Sequence, residues 1–376
     1  MHHSSARTCQ SQFLLCPCDS NITKSSLFFQ FFSVSRINTH ISREKSIFHP
    51  CKINTWKFTE TDAAKADESK NDKADDAKAE QNKDENKQQP PVDPLAEGKS
   101  DTKEDQNKVD EIRRIAAGAR KSLVKMSECC SKTMHWGGAL SCIDILATLY
   151  GEVLNISSDD SKSDIFILSK GHAGPALYAV LEQIGVISET QLEQYRKDGT
   201  NLTELAEYNR ELGIECSGGS LGLGLSYAVG IALAMKKRNM KTKVYVLLGD
   251  GEINEGSVWE AVMFAAQNHL DNLYAIVDKN DLQSDGDTGA IIDMNEMKQL
   301  FMAFQWDAVE VNGHDCTQIY DALREATGEK PHAVIAHTVK GKGISFMEGD
   351  NSWHDRKISE QELTRAKEEV GLIAES

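Results

Sequence analysis

Apolar residues along the second half of the chain switch between two periods. Ile112, Ile115, Ala116, Ala119 and Leu123 recur at three- and four-residue steps, the spacing of one helix face, so residues 109–126 are predicted as a helix. A similar pattern predicts a second helix over 141–154, with Gly137-Gly138 as the turn between them. Short apolar runs at 164–169, 244–248, 273–277, 308–311 and 333–337 are strand-sized. Helical stretches ending near Ile184 and spanning 225–235, 258–268 and 316–326 separate them. Strands alternating with helices predict an α/β fold of three layers, a mainly parallel sheet with helices on both faces. Right-handed crossovers then bring the carboxyl ends of all strands to one edge, where the following loops form a ligand crevice.

This patterning is confined to residues 109–376, long enough for one sizeable core. Residues 1–58 are rich in Ser, Phe, Cys and basic side chains, with only Asp19 and Glu44 acidic, and carry no sustained period. They read as a poorly ordered leader, and three origins stay open: an organelle transit segment, an extension, or a misassigned start. The apolar cluster Leu27-Phe28-Phe29-Gln30-Phe31-Phe32 is too short to span a bilayer, so no membrane partner is expected. Residues 59–108 hold 15 acidic and 9 basic side chains and almost nothing apolar, the composition of a disordered charged linker.

A formal net charge of −16 argues against a nucleic-acid partner, which needs a basic face. Nine cysteines, among them Cys16, Cys18, Cys129, Cys130, Cys142, Cys216 and Cys316, form no Cys-x-x-Cys pair and fit no disulfide framework. Free thiols in a reducing compartment, cytoplasm or organelle matrix rather than the secretory route, are the expectation.

Chemistry concentrates at two turns. Gly249-Asp250-Gly251 ends one predicted strand and Asn280 follows the next, with 28 residues between Gly251 and Asn280, about the length of one strand-helix-strand unit. Side by side on one edge, Asp250 and Asn280 can turn oxygens toward one cation. Magnesium takes hard oxygens and completes its shell with phosphate and water. The glycines let the backbone approach a phosphate, and the helix over 258–268 points its amino end at the anion.

Gly249-Asp250-Gly251 through Asn280 resembles the thiamine-diphosphate signature. Gly251-Glu252-Ile253-Asn254-Glu255-Gly256 with Trp259-Glu260-Ala261 is similar to transketolase in particular, and the likeness extends from about Val109 to Trp353. It implies the three-layer thiamine-diphosphate-binding fold. It also implies that Asp250, Asn280 and the main-chain carbonyl of Leu282 ligate magnesium, that Gly251 touches the diphosphate and that Asp278 supports them from behind. Glu255 matches a family position in carboxylate contacts between neighbouring active sites. Ser217-Gly218-Gly219-Ser220-Leu221-Gly222-Leu223-Gly224 resembles the loop beside the cofactor's aminopyrimidine, which assigns Gly219 and Leu221 to cofactor binding.

Transketolases line the channel above the cofactor with histidines that bond substrate hydroxyls and move protons, and three here match: His135, His172 and His354. The segment around His135 has Trp136 where the family usually has Pro, and Asp355-Arg356 after His354 depart from its pattern. Before the glycine loop, many relatives carry Gly-His-Pro; this chain has Glu204-Leu205-Ala206-Glu207-Tyr208-Asn209. One substrate-contacting histidine is therefore missing, and a changed sugar specificity is expected. His269, His314, His332 and His337 read as surface or satisfied interior rings.

The resemblance implies transfer of a two-carbon ketol group from a ketose phosphate to an aldose acceptor. The family's glutamate that activates the aminopyrimidine belongs to a second domain, which the sequence up to Ser376 does not contain. A C-terminal partner subunit carrying that pyrimidine-binding domain is expected, in a heterotetramer of two copies of each. The alternatives are a deoxyxylulose-phosphate synthase, a keto-acid dehydrogenase component, or a non-catalytic thiamine-diphosphate-binding or assembly subunit.

Overall fold

The five apolar runs pair in one parallel sheet, and the alternation of side chains along each strand divides the core in two. The structure is a computed structural model that describes residues 102–130, 133–157, 163–324 and 328–373. The expected leader and most of the expected linker lie outside the described residues, as do Cys16 and Cys18.

In chain order, α1 (Lys103–Cys129), α2 (Trp136–Ser141) and α3 (Ile143–Thr148) lead through a π turn at Leu149–Val153 to β1 (Ile165–Leu168). Next come α4 (Gly174–Gln183), α5 (Glu189–Leu192), α6 (Gly224–Lys237), β2 (Val244–Gly249), α7 (Gly256–Gln267) and β3 (Leu273–Lys279). A small hairpin, β4 (Leu282–Gln283) with β5 (Gly286–Asp287), precedes α8 (Thr288–Ile291) and α9 (Met297–Ala303). The remainder is β6 (Asp307–Asn312), α10 (Cys316–Arg324), β7 (His332–His337) and α11 (Glu360–Glu369).

The sheet runs in the order β1-β2-β3-β7-β6 with every neighbouring pair parallel. Phe166, Leu168, Tyr245, Leu247, Tyr274, Ile276, Val334 and Ala336 face α1, α3, α4 and α10. Their alternate neighbours Ile167, Val246, Leu248, Ala275, Val277, Ala333 and Ile335 pack with α6, α7 and α9. Both faces being covered is why these strands read as continuous apolar runs. On α1, Ile112, Ile115, Ala119 and Leu123 are buried as their spacing predicts, each large aliphatic contributing roughly 2 kcal/mol relative to exposure.

Two details depart from the sequence reading. Helix α1 begins at Lys103, inside the segment read as linker, because Thr102 caps it by accepting from the Asp105 amide at 3.1 Å, and Asp105 pairs with Arg324 at 2.8 Å. Gly137 and Gly138 are not a turn but part of α2, and the helix expected over 141–154 is interrupted at Cys142 and ends in the π turn. The glycines serve close approach: a Cβ on Gly137 would sit 2.7 Å from the Lys340 side chain, and one on Gly138 3.2 Å from the His172 ring. The described cysteines, Cys129, Cys130, Cys142, Cys216 and Cys316, are all free thiols. Among the described residues no helix is long and apolar enough to cross a membrane.

Candidate functional site

A cavity of about 360 Å³ opens at the carboxyl edge of the sheet. β1 delivers Lys170 and His172 to it, β2 delivers Asp250 and Gly251, β3 delivers Asn280, and the loop after β7 delivers Lys340. His135, just before α2, His354, and Gly219 and Leu221 of the glycine loop complete the wall with Leu282. Of the residues singled out in the sequence, Asp278 and Glu255 stand elsewhere. Asp278 is fully buried under the cavity, and Glu255 is exposed at the head of α7.

The two turns are adjacent, as their spacing requires. Gly249 pairs in register with Asp278, and Asp250 Oδ2 accepts from the amide of Asp281 at 2.6 Å, the residue after Asn280. Asp250 Oδ1 accepts from the Gly251 amide at 2.8 Å. Burial, then the nearby charge of Asp278, pushes the Asp250 carboxyl up to about 6. A divalent cation would relieve that penalty. The donors are a carboxylate, an amide oxygen at Asn280 and the Leu282 carbonyl, all hard oxygens on one wall, and they fit magnesium. The Leu282 carbonyl accepts from Lys340 Nζ at 3.0 Å, so a cation already faces it. Gln283 Oε1, buried in the same wall, has no hydrogen-bond partner, a polar atom left for a ligand to satisfy. A side chain on Gly251 would enter this wall, its Cβ 2.8 Å from Gln283.

Asp278 ties the edge together. It accepts from Ser141 Oγ at 2.6 Å, from Lys170 Nζ, from Thr338 Oγ1 and from Asn280 Nδ2 at 3.3 Å. Burial alone would raise its pKa, but the Lys170 ammonium and these donors hold it below the usual value. Asn280 is thereby oriented, its Nδ2 donating to Asp278 and its Oδ1 accepting from the Leu282 amide at 3.2 Å.

The three histidines form a triangle. Ring centroids are 5.4 Å apart for His135 and His172, 5.5 Å for His135 and His354, and 5.9 Å for His172 and His354. Burial, then the Lys170 charge, holds His172 well below 6.5, and burial with Lys340 brings His354 down to about 4. Both rings are therefore neutral near pH 7. Lys340, lowered to about 8 by burial and by Lys170, gives its three protons to Leu282 O, Asn351 Oδ1 at 2.7 Å and His354 Nδ1 at 3.0 Å.

Sequence reading did not single out Lys170, Glu252, Gln283 or Lys340. Lys170 and Lys340 carried a signal, a lysine beside glycine at a strand's carboxyl end. Glu252 is 3% exposed and accepts from Ser169 Oγ, the Gly222 amide at 2.8 Å and the Gly249 amide at 3.1 Å, contacts that no spacing announces. His314, read as bland, is a satisfied interior ring, with Nδ1 2.8 Å from Asp144 and Nε2 accepting from the Val339 amide at 2.8 Å.

Comparison with known proteins bears on the family and the fold. The family described as "Transketolase, thiamine diphosphate binding domain" matches residues 107–376. The chain is 40% identical over 265 residues to one of the apulose-4-phosphate transketolase subunits of Actinobacillus succinogenes, covering 69% of this chain and 96% of that one. It is 34% identical over 272 residues to human transketolase, 71% of this chain but 43% of the human one. A solved transketolase from Leishmania mexicana superposes with a TM-score of 0.64 at 28% identity, covering 69% of this chain and 41% of that chain. The chain thus spans about two fifths of the length of the solved transketolases it matches. Because the family match starts within α1 and takes in every loop that lines the cavity, the chain belongs to the transketolase family, through its thiamine diphosphate binding domain.

Proposed function

We propose that this chain is the diphosphate-binding subunit of a split transketolase, moving a two-carbon ketol group from a ketose phosphate to an aldose once a second subunit supplies the pyrimidine-binding domain. The observation that carries the reading is the single cavity that joins three imidazoles to the oxygen donors of Asp250, Asn280 and Leu282. The split is supported by the match along nearly the full length of a protein that is itself named as one subunit of a transketolase.

When bound, thiamine diphosphate supplies the carbon nucleophile that carries the two-carbon unit between sugars. Asp250, Asn280 and the Leu282 carbonyl would hold magnesium on the diphosphate, Gly251 would leave room beside it, and Gly219 and Leu221 would flank the aminopyrimidine. Lys170 and Lys340, both in the cavity wall, would keep positive charge near a bound diphosphate. His172, neutral near pH 7, can accept a hydroxyl proton or donate its own; His354, whose Nδ1 accepts from Lys340, has its own proton on Nε2 to donate, and His135 joins them. Leu205 in the cavity wall, where a polar ring would bond a sugar hydroxyl, favours an altered donor preference.

Calorimetric titration of the purified chain with thiamine diphosphate, with and without magnesium, tests the first half. The second half is tested by assaying ketol transfer from xylulose 5-phosphate and apulose 4-phosphate, alone and mixed with a candidate partner. Cofactor binding by the chain, and turnover only in the mixture, are expected. Turnover by the isolated chain would overturn the split, and cofactor binding without turnover in any stable complex would favour a non-catalytic subunit.

A further inference from the structure

Glu204 is absent from the cavity wall, yet it is joined to one of the residues that form it. Its Oε1 lies 2.8 Å from His135 Nδ1, and its Oε2 lies 2.9 Å from Arg196 Nη2. Arg196 donates from Nη1 to the Thr133 carbonyl at 2.5 Å. The guanidinium therefore braces the carboxylate against the backbone two residues before the histidine. All three side chains are largely buried, at 18%, 23% and 18% exposure for His135, Glu204 and Arg196.

An ionised carboxylate only accepts, so the proton in this contact sits on Nδ1. The consequence falls on the other nitrogen. With the ring neutral, Nε2 is left bare, and it has no hydrogen-bond partner among the described residues. We propose that Glu204 is a positioning residue: it fixes His135 as the Nδ1–H tautomer, so that Nε2 is the proton acceptor for a hydroxyl of the bound sugar. A proton leaving that hydroxyl oxygen for Nε2 makes an imidazolium, and the Glu204 carboxylate, already on Nδ1, compensates its charge. The oxygen keeps the electron pair, and the proton returns from Nε2 when the hydroxyl re-forms.

Glu204 stands in the segment that replaces the family's Gly-His-Pro, and the next residue, Leu205, faces the cavity. A hydroxyl-binding ring is lost there, and a carboxylate is gained behind a ring that remains. Asp355 is the other acid nearby: one of its oxygens, a His135 nitrogen and a Glu204 oxygen all lie within 4.8 Å of one another. Being exposed, and with no guanidinium bonded to it among the described residues, it is the weaker candidate for the same task.

This inference rests on the proposed ketol transfer for its purpose, but its first test does not. Long-range proton–nitrogen spectra of the chain labelled with ¹⁵N-histidine report each ring's tautomer, and His135→Gln identifies the His135 signals by their loss. At a pH where the ring is neutral, wild type is expected to show a protonated Nδ1 and a bare Nε2. Glu204→Leu moves it to the Nε2–H form, and so does Glu204→Gln, whose single amide oxygen is claimed by the Arg196 guanidinium so that its N–H group faces Nδ1. A wild-type ring in the Nε2–H form, or a Glu204→Leu pattern identical to wild type, overturns the proposal. Should Glu204→Leu not fold, the wild-type spectrum still decides.

In the active complex, Glu204→Leu and Glu204→Gln are both expected to lower kcat about 100-fold with KM little changed. An unchanged kcat in both variants, or a loss confined to KM, counts against positioning. The two readings fail separately. An Nδ1–H ring in a complex without ketol transfer sinks the reaction and leaves the tautomer, and an active complex with an Nε2–H ring does the reverse.

Discussion

Lys170 donates to Asp278 beneath the cavity floor, and the pair is almost sealed from solvent, at 1% and 0% side-chain exposure. Burial would push the lysine's pKa down, but the aspartate's charge outweighs it and holds Lys170 above its ordinary value. Removing one member of such a pair strands the other charge. Asp278→Asn is therefore expected to cost about 3–5 kcal/mol in urea unfolding. A double substitution, Lys170→Met with Asp278→Asn, removes both charges, leaves an amide that can pair with the Ser141 and Thr338 hydroxyls, and should recover most of that loss. A double variant no more stable than Asp278→Asn would show that the pair is not what the single substitution breaks.

The glycine loop makes a sterically sharper prediction. Gly222 has φ +81°, a region that L side chains rarely adopt, and a Cβ there would lie 2.6 Å from the Cβ of Glu255. Gly222→Ala combines left-handed strain with overlap against α7, at a cost of about 2 kcal/mol. Its amide is also held by Glu252, so the loop's register against β2 should loosen. Thermal melting and thiamine diphosphate titration read the two effects, and an unchanged melting point would contradict the backbone geometry.

The fold was legible because period and burial agree: all five strands of the sheet fall where the apolar runs predict, and Asp250 and Asn280 meet because one strand-helix-strand unit separates them. What was hidden depends on contacts distant in sequence. Gly137-Gly138 looks like a break until Lys340 and His172 are seen pressed against it from loops far along the chain. Glu204 reads as a mere substitution in a family motif, because nothing local says that Arg196 braces it or that His135 lies at its other end. The carboxylate of Glu252, within the segment that carries the resemblance, looks like another surface acid at a helix start.

That carboxylate gathers three donors, from the turn after β1, the glycine loop and the end of β2. Burial raises its pKa despite these hydrogen bonds. Glu252→Gln offers one acceptor oxygen where two are used, and turns an N–H group toward an N–H or O–H donor. An unpaired buried donor costs about 1–3 kcal/mol, so a lower urea midpoint is expected, with Glu252→Ala lower still. If Glu252→Gln melts like wild type, the carboxylate is not what holds the loop.

Asp250 yields a prediction in which a binding residue opposes stability. Its folded-state pKa is raised from 3.8 to about 6, so without metal the folded chain binds this proton more tightly than the unfolded chain does. The sign follows by linkage: the contribution to stability is fully present below the unfolded value near 3.8 and is lost as pH rises through about 6. Over that window the loss is about 3 kcal/mol. Asp250→Asn, which cannot ionise, should escape it. Metal-free urea unfolding is expected to show Asp250→Asn gaining on wild type from pH 4 to pH 7; His172 and His354, whose lowered pKa values act over an overlapping window, are common to both chains and cancel in the difference. Magnesium with thiamine diphosphate should then reverse the order at pH 7, stabilising wild type and leaving the asparagine variant nearly unmoved. A stability difference between the two chains that stays flat with pH would mean that burial does not hold this carboxyl protonated, and that no cation is needed to relieve it.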